Sequence, residues 1–199
     1  MRKVPFHYWL ACMFFTLDPG WLTAAQSDTN TLSQEGFRQI FNGRDLTGWD
    51  GDMRFWRVEN GAIVGETTPG VKTKGSTFLI WTAGKLKDFE LRLSCRLDGH
   101  PNSPNANSGI QYRSERLERI GKYEMTGYQA DFDLANRYTG ILYEAWGRGV
   151  MTNTGETVVI GPPHDNSSQY SRTIIKPAVV DDPGRIRIEP HKWYDYTIV

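Results

Sequence analysis

The chain has 199 residues, which suits a single domain with a hydrophobic core and an N-terminal leader. Lysine plus arginine and aspartate plus glutamate each total 23, so the formal net charge is zero. This balance, without a basic patch, excludes the electrostatic surface on which nucleic-acid binding depends.

The N-terminal residues have the pattern of a secretory signal peptide. Residues 2–3 are basic, residues 8–17 form an apolar stretch, and residues 23–25, Thr-Ala-Ala, suit a cleavage site. A short buried or membrane-associated helix is the alternative, but residues 18–20, Asp-Pro-Gly, interrupt the apolar run well short of a membrane span. We therefore expect cleavage before Gln26 and no stable membrane span.

The expected organisation is a leader followed by one domain. Residues 1–25 are assigned to the signal peptide, residues 26–36 to a flexible polar lead-in and residues 37–199 to the domain. The signal peptide predicts a secreted or periplasmic protein. After cleavage Cys95 is the one remaining cysteine, so an intrachain disulfide is excluded and the core must supply the stability.

From residue 37 onward the pattern is one of strands and turns, with hardly any helical period. The best-defined strand is Phe89–Leu97, in which apolar and polar residues alternate and Cys95 is a small core hydrophobe. As a helix this run would spread its apolar residues around the whole cylinder. The predicted core therefore includes Phe89, Leu91, Leu93 and Leu97.

Turn signals separate the predicted strands. Asn60-Gly61 lies between Trp56–Glu59 and Ala62–Gly65 and predicts a hairpin turn, because asparagine and glycine tolerate positive φ. Residues 98–106 and 161–171 are rich in proline, asparagine and serine, which predicts loops.

The segment between residues 107 and 144 carries two strands with one apolar and one polar face. Its runs NSGIQYRSE and GYQADFD alternate with the period of antiparallel strands. The apolar face holds Ile110, Tyr112, Tyr128, Ala130 and Phe132. The polar face holds Gln111, Arg113, Gln129, Asp131 and Asp133. Amides, a guanidinium and carboxylates side by side on an open sheet suit a hydroxyl-rich ligand such as a sugar.

Many short strands joined by long loops predict an antiparallel sandwich or barrel, and alternation alone does not separate the two. The chain has seven tryptophans and nine tyrosines, and we expect most of these large rings to fill such a core. An exposed tryptophan among them would suit stacking against a sugar ring.

Sequence blocks along the chain resemble those of the 3-keto-disaccharide hydrolase domain family. In colinear order they are IFNGRDLTGW, WRVENGAIVG, FLIW, DFELRLSCRL, NSGIQYR, GYQAD, TGILYE and GRG. The resemblance covers residue 36 to the end. It implies an all-β, antiparallel two-sheet jelly-roll sandwich of the concanavalin A-like type, with the ligand on the concave sheet.

The resemblance also implies a substrate, a small carbohydrate that is a 3-keto-glycoside. A ketone at carbon 3 acidifies the proton on carbon 2, so the group on carbon 1 leaves by elimination and water adds back. This chemistry needs a base at carbon 2, a positive charge or a divalent metal ion on the enolate oxygens, and a proton donor for the leaving group. No nucleotide cofactor is expected.

Asp131 is the first candidate for the carboxylate that acts as base or metal ligand. A structural pair with a neighbouring arginine is the alternative. Arg113 is the candidate for holding the enolate or a ring hydroxyl, or else it pairs with Glu115 or Asp131. Candidates for hydroxyl recognition are the amides of Gln111 and Gln129, which would equally serve to cross-link strands.

Four further residues are candidates for substrate binding. Asn107 lines the cleft or forms an Asx turn at a strand entrance. Tyr143 and Glu144 lie on opposite faces of one strand, so only one of them faces the ligand. Arg148 belongs to the cleft rim or is a solvated loop arginine.

Two other functions compete with this one. A conventional glycosidase needs two separated carboxylates, and the Glu-x-Asp-x-x-Glu motif common in sandwich glycanases is absent from the sequence. A lectin-like carbohydrate-binding module would show similar polar residues, because the fold serves both roles. The segment His191–Val199 alternates as a strand and stops there, so we expect a truncated reading frame that lacks the family's last strands, with their Asn-Gly turn and His-Gly pair.

Overall fold

The computed structural model describes residues 10–13, 36–99, 106–163, 170–179 and 185–199, and within these ranges the regular structure consists of strands alone. The strands are β1 Leu10–Met13, β2 Trp49–Asp50, β3 Trp56–Glu59, β4 Ala62–Gly65, β5 Ile80–Trp81, β6 Leu91–Arg96, β7 Asn107–Arg116, β8 Met125–Asp133, β9 Leu142–Ala145, β10 Gly149–Thr152, β11 Thr157–Pro163, β12 Tyr170–Lys176 and β13 Trp193–Ile198. The predicted all-β class is confirmed.

The described strands form two larger and two smaller antiparallel sheets. One large sheet has the order β13-β6-β1-β4-β3, and the other has the order β10-β9-β8-β7. The pairs β11-β12 and β2-β5 form the smaller sheets. The large sheets pack against each other where Leu93 and Cys95 of β6 meet Phe132 of β8. Burying these apolar side chains between two layers is what holds the layers together.

The strand predicted over residues 89–97 is present in a shorter form. Leu93, Cys95 and Leu97 are buried, and Leu91 packs partly buried against them. Phe89 does not belong to the strand or to the buried core: it is half-buried and meets the Tyr112 ring edge-on. The pairing of β6 with β13 begins at Leu91, so no ladder extends the strand to Phe89.

The hairpin predicted at Asn60-Gly61 is confirmed. Strands β3 and β4 pair antiparallel and close with Glu59 opposite Ala62. Asn60 has φ +50° and Gly61 has φ +77°, the pair of left-handed conformations that a two-residue hairpin turn of type I′ requires. Local turn chemistry therefore sets the register of this hairpin.

The loop predicted over residues 161–171 is wrong at both ends. Strand β11 runs through Gly161 to Pro163 and pairs with the start of β12 at Tyr170 and Ser171. These two strands form their own two-stranded sheet, where a proline interrupts few ladder hydrogen bonds. The middle of this segment, and most of the loop predicted over 98–106, lie outside the described residues.

Four residues of the predicted signal peptide, Leu10–Met13, lie as β1 between β4 and β6. The rest of the predicted leader lies outside the described residues, and so does most of the lead-in. Cleavage before Gln26 therefore stays a prediction. The described part of the chain contains no helix with the length and apolarity needed to cross a membrane.

Candidate functional site

The polar residues of β7, β8 and β9 lie side by side because of the strand register. Gln111 of β7 pairs with Gln129 of β8, which in turn pairs with Tyr143 of β9. Gly109 pairs with Asp131 on the same face. Residues paired directly across antiparallel strands point to the same side of the sheet. The face predicted to be polar therefore carries a row of two amides and a phenol next to a carboxyl group.

Asp131 is the most unusual carboxyl group in this row. Its side chain is buried, with 6% of the residue exposed, and the Gln129 amide donates a hydrogen bond to its Oδ1. Burial raises the pKa of Asp131 to about 7; the bond from Gln129 lowers the pKa in part, and the nearby Asp133 carboxylate raises it further. A carboxyl group with such a pKa can accept and return a proton near neutral pH.

Gly109 provides the space in which Asp131 and Gln129 lie. A Cβ atom at position 109 would come within 2.6 Å of the Gln129 Cγ and 2.8 Å of the Asp131 Oδ1. It would also come within 2.9 Å of the Ala130 carbonyl oxygen, which is backbone and cannot rotate away. The glycine of the NSG block is thus required by close packing across the strand pair.

Asp133 has a structural role at the end of β8. Its carboxylate accepts hydrogen bonds from the backbone amides of Arg137, Tyr138 and Thr139, at 3.2, 2.8 and 2.9 Å. The Thr139 hydroxyl also lies 3.1 Å from it. Asp133 therefore shapes the loop after β8, and it acts on Asp131 through its charge.

Arg113 lies on a β-bulge at the edge of the cleft. Tyr112 pairs with Tyr128 and Glu115 pairs with Thr126, so two residues of β7 lie opposite the single residue Gly127. Arg113 takes φ +50°, which turns this residue out of the regular pleat. Its side chain is exposed, and in the described part of the chain no ion pair joins it to Glu115 or Asp131.

Gly127 makes this bulge possible on the opposite strand. It has φ +121°, and a Cβ atom there would lie 2.7 Å from the Ser114 Oγ and 2.8 Å from the Tyr112 carbonyl oxygen. Only glycine adopts this backbone conformation at such close range. The bulge is thus built into both strands.

Of the two candidates on β9, Tyr143 borders the cleft. Glu144 is instead held by Arg148: the guanidinium donates from Nε to Oε2 and from Nη2 to Oε1, the latter at 3.1 Å. Arg148 also donates to the Tyr128 hydroxyl at 2.9 Å, and the ion pair lowers the pKa of Glu144. Glu144 and Arg148 therefore do not belong to the Asp131 row. Their ion pair instead stabilises the turn between β9 and β10.

Gln111 and Asn107 lie on the Asp131 side of β7. The Gln111 amide donates to the Met125 carbonyl oxygen at 3.4 Å, while its Oε1 is buried without a hydrogen-bond partner among the described residues. Asn107 is the first residue of β7, opposite Asp133, and it borders the cleft. A buried carbonyl oxygen without a partner is unfavourable, so a movement of the Gln111 side chain that exposes this oxygen to a ligand hydroxyl would satisfy it.

Tyr196 of β13 connects the opposite sheet to this site and was not singled out from the sequence. Its hydroxyl donates to the Asp131 carbonyl oxygen at 3.2 Å, and its ring packs on Phe132 at 5.5 Å between centroids. Burial raises the pKa of Tyr196 to about 12. The alternation of β13 indicated that this side chain points inward, but only the packing of the two sheets gives its partner.

A cleft of about 2760 Å³ runs along these residues. Asp131, Gln129, Gln111 and Tyr143 border it, together with the aromatic residues Phe37, Phe78, Trp81 and Trp146. Small-molecule sites commonly measure roughly 300–1,000 Å³, so this cleft has room for more than one sugar ring.

The described residues do not form a metal centre around Asp131. Nowhere in these ranges do three or more histidine, cysteine, aspartate or glutamate side chains come together in a metal-binding group. The nearest carboxylate, Asp133, already accepts three backbone amides. The side chains described around Asp131 therefore do not supply the set of ligands that a protein-held metal ion needs.

Comparison with known families decides the relationship that the sequence blocks indicated. The model of the 3-keto-alpha-glucoside-1,2-lyase-like domain matches residues 36–199, which is most of the chain. The chain belongs to this family. Comparisons with curated proteins and with solved structures found no match.

Membership in the 3-keto-alpha-glucoside-1,2-lyase-like family supports a carbohydrate-active role. The matched residues contain every side chain of the Asp131 row and the surrounding cleft. In this member of the family, sequence reasoning found the row itself, because alternation fixes which side chains share a face. It missed Tyr196, and it missed a second buried carboxyl group, Glu124, that borders the same cleft.

Proposed function

We propose that the protein cleaves 3-keto-glycosides by elimination across carbons 1 and 2, followed by hydration. The observation that carries this proposal is the Asp131 carboxyl group, buried beside a cleft and with a pKa of about 7. A base for carbon 2 must be substantially ionised at neutral pH and must still hold a proton well enough to remove it. An ordinary surface aspartate meets only the first requirement.

In the proposed reaction, the Asp131 carboxylate removes the proton from carbon 2. The electrons of that C–H bond form the enolate with the carbon 3 ketone. The bond between carbon 1 and the leaving oxygen then breaks, and that oxygen takes up a proton from solvent. The ring product is a conjugated 2-hydroxy-glucal ketone. Water adds its hydroxyl group to carbon 1 and gives up its remaining proton to solvent. Asp131 exchanges its proton with solvent and then protonates carbon 2, so the net change is hydrolysis.

The neighbouring side chains supply recognition. We assign hydroxyl binding to Gln111, whose buried Oε1 lacks a partner in the described structure, and to Gln129 and Tyr143 in the same row. Asn107 extends this row at the start of β7. Arg113, free of any described ion pair at its bulge, supplies positive charge for the enolate or a ring hydroxyl. We propose separately that a divalent metal ion enters with the substrate. A chelator should then lower turnover, and unchanged turnover would contradict this.

We propose that the domain is a jelly-roll sandwich whose concave sheet carries this site. We also propose that the protein is exported. Two antiparallel sheets packed through a shared apolar cluster support the sandwich, as does the family match. The leader pattern supports export. Mass spectrometry of the secreted fraction should find an N-terminus near Gln26, and an intact Met1 form confined to the cytoplasm would contradict this.

The test of function compares a 3-keto-glucoside with the same glucoside unoxidised. We expect turnover of the ketone alone, because only the ketone makes the carbon 2 proton removable. Deuterium at carbon 2 should be exchanged or lost. Complete retention of the label in the product would rule out elimination and favour direct hydrolysis, whereas binding of unoxidised sugar without turnover would indicate a lectin.

The variants for this test are Asp131→Asn and, as a matched control, Glu118→Gln. The first keeps the shape of the side chain but removes its basicity, so most turnover should disappear. Glu118 is exposed and outside the cleft, and its amide variant should keep full activity. Arg113→Lys should retain more activity than Arg113→Ala, because the charge survives although the planar donor set is lost.

A further inference from the structure

Four residues of the predicted leader, Leu10–Met13, form a central strand of the five-stranded sheet. This strand, β1, lies between β4 and β6 and runs antiparallel to both. Neighbouring strands lie about 4.8 Å apart, so β4 and β6 are about two strand spacings apart, too far to hydrogen-bond to each other. We call the space between β4 and β6 the strand slot, and β1 occupies it in this structure.

Strand β1 fills the strand slot only in part. On the β6 side the pairing is between Cys12 and Arg96 alone. On the β4 side there are two pairs, with an irregular register between them. The other edge of β6, by contrast, pairs with β13 over its whole length. Within the described part of the chain, no strand pairs with Leu93, Ser94 and Cys95 on the slot side, although Leu93 and Cys95 are buried.

An unpaired strand edge inside a sheet favours the binding of another extended chain. Buried backbone N–H and C=O groups almost always have hydrogen-bond partners, and a free strand edge is a template on which a further strand pairs. Because the slot lies between two strands, an incoming strand would pair on both sides, with β6 and with β4. The slot can therefore hold a longer and more regular strand than β1.

One face of the strand slot is apolar. Ile63 pairs with Met13, and Arg96 pairs with the preceding residue Cys12, so Ile63 and Cys95 lie on the same face of the sheet. Both residues are buried, and they belong to two different apolar clusters. A strand in the slot would place every second side chain between these clusters, where burial favours apolar residues.

The opposite face of the strand slot is polar. Alternation along β6 places Arg92, Ser94 and Arg96 on this face. The Arg96 guanidinium pairs with Asp98 at 2.9 Å and lies over the Trp193 ring. Its Nε–H is buried and has no hydrogen-bond partner among the described residues. Buried donors usually have an acceptor, and the residue that pairs with Arg96 across the slot is placed to supply one.

We propose that the strand slot binds an extended segment of another protein in which apolar residues alternate with acidic ones. The partner would run antiparallel to β4 and β6, as β1 does, with its apolar residues between the two clusters and an acidic side chain accepting the Arg96 Nε–H. The inference rests on the proposed export for the state in which the slot is open, because cleavage before Gln26 removes β1. It is independent of the proposed chemistry at Asp131.

The first experiment uses the whole chain and releases β1 by substitution. Cys12→Pro removes a backbone N–H from β1 and fixes φ at the residue that pairs with β6, whereas the matched control Cys12→Ala keeps both. The probe is a fluorescein-labelled ten-residue peptide of alternating leucine and glutamate. We expect Cys12→Pro to bind this peptide at least tenfold more tightly than wild type or Cys12→Ala, because the tethered strand no longer competes. Equal affinity of the three proteins would overturn the site.

Hydrogen exchange followed by mass spectrometry locates the bound peptide. In Cys12→Pro the peptide should slow exchange in β4 and β6. Slower exchange in β3, β12 or β13 instead would indicate pairing at an outer edge and would contradict the slot. Slower exchange in β4 and β6 without peptide, increasing with protein concentration, would identify a second copy of this chain as the occupant and overturn the partner proposed above.

Wild type decides the proposal even if Cys12→Pro does not fold. Excess peptide should displace β1, so exchange at residues 10–13 should become faster while exchange in β6 becomes slower. Unchanged exchange in both strands at saturating peptide would contradict the proposal. A secreted protein that keeps residues 1–25 would contradict both the proposed cleavage and the opening of the slot by it, and the peptide measurements would still decide whether the slot binds a strand.

A second peptide tests the chemistry of the partner. It has lysine in place of every glutamate and is otherwise identical. Cys12→Pro should bind the glutamate peptide at least threefold more tightly than the lysine peptide, and adding Arg96→Gln should remove this preference, because the cationic donor is lost. An equal preference with and without Arg96→Gln would overturn the role of Arg96. Equal binding of a peptide with serine in place of every leucine would overturn the apolar face.

Discussion

At the scale of single residues, the environment of Asp131 controls both chemistry and stability. The folded protein holds its proton up to a pKa of about 7, whereas an unfolded chain releases it near 3.8. Between these values the unfolded state binds fewer protons, so the free energy of unfolding falls as pH rises. One pKa unit corresponds to about 1.4 kcal/mol, which sets an upper bound on the order of 4 kcal/mol for this effect.

The first prediction follows from that sign. Wild type should lose stability from pH 4 to pH 7, and Asp131→Asn, which has no proton to lose, should lose markedly less. Urea midpoints at pH 4, 5.5 and 7 measure the difference. Under the proposed function, kcat/KM rises over the same range as the carboxylate forms. Parallel stability profiles for the two proteins would show that Asp131 titrates normally.

The second prediction concerns Gly109. Gly109→Ala places a Cβ atom against Gln129, Asp131 and a backbone carbonyl, so the strands must shift. Overpacking of this kind costs about 1–3 kcal/mol, and the shift should also disturb the Gln129–Asp131 contact. Chemical denaturation measures the cost. Gly75→Ala is the control, since nothing lies within 4 Å of a Cβ there. Equal stability of both variants would mean that β7 and β8 can accommodate the extra methyl group without strain.

At the scale of strands and turns, what the sequence predicts well is what local chemistry decides. Asn60-Gly61 fixes its hairpin, and alternation assigns the faces of β6 and β8, because neither depends on distant residues. The bulge at Arg113 is a property of two strands in register, so one strand's pattern does not show it. The strand through Gly161 to Pro163 was not predicted for a related reason. Its proline-rich composition indicates a loop, and it is a strand because it pairs with β12.

The third prediction tests the face assignment of β6. Leu93→Asp places an unpaired charge in the buried cluster between the sheets and should abolish cooperative folding. Thr197→Asp, on the neighbouring strand but exposed and opposite Arg92, should fold normally. Thermal unfolding followed by circular dichroism distinguishes the two. A cooperative transition for Leu93→Asp would mean that the strand faces are reversed.

At the scale of the whole molecule, the site depends on contact between two layers. The polar row belongs to one sheet, but Tyr196 reaches the Asp131 backbone from the other. Sequence alternation predicts that each strand has an inward face. It does not predict which strand of one layer lies over which strand of the other, and that choice joins Tyr196 to Asp131.

The fourth prediction isolates this contact. Tyr196→Phe keeps the ring packed on Phe132 and removes only the hydroxyl that bonds the Asp131 carbonyl oxygen. The expected loss is about 0.5–1.5 kcal/mol in the free energy of unfolding. Tyr194→Phe serves for comparison, because the Tyr194 hydroxyl bonds backbone groups at Arg187 and Glu189 away from the cleft. If Tyr196→Phe also changes sugar binding and Tyr194→Phe does not, the hydrogen bond between the two layers supports the site. If sugar binding is unchanged in Tyr196→Phe, that hydrogen bond contributes to stability alone.

The burial of Cys95 between the same layers gives the molecule an internal reporter. Burial raises the pKa of this thiol to about 12, and 1% of the residue is exposed. In the folded state almost no reactive thiolate is present, so an alkylating reagent must wait until the layers separate. The rate of Cys95 alkylation in native buffer therefore measures how often the two sheets part. Sugar that binds across the cleft and holds the closed form would slow that rate in proportion to its occupancy.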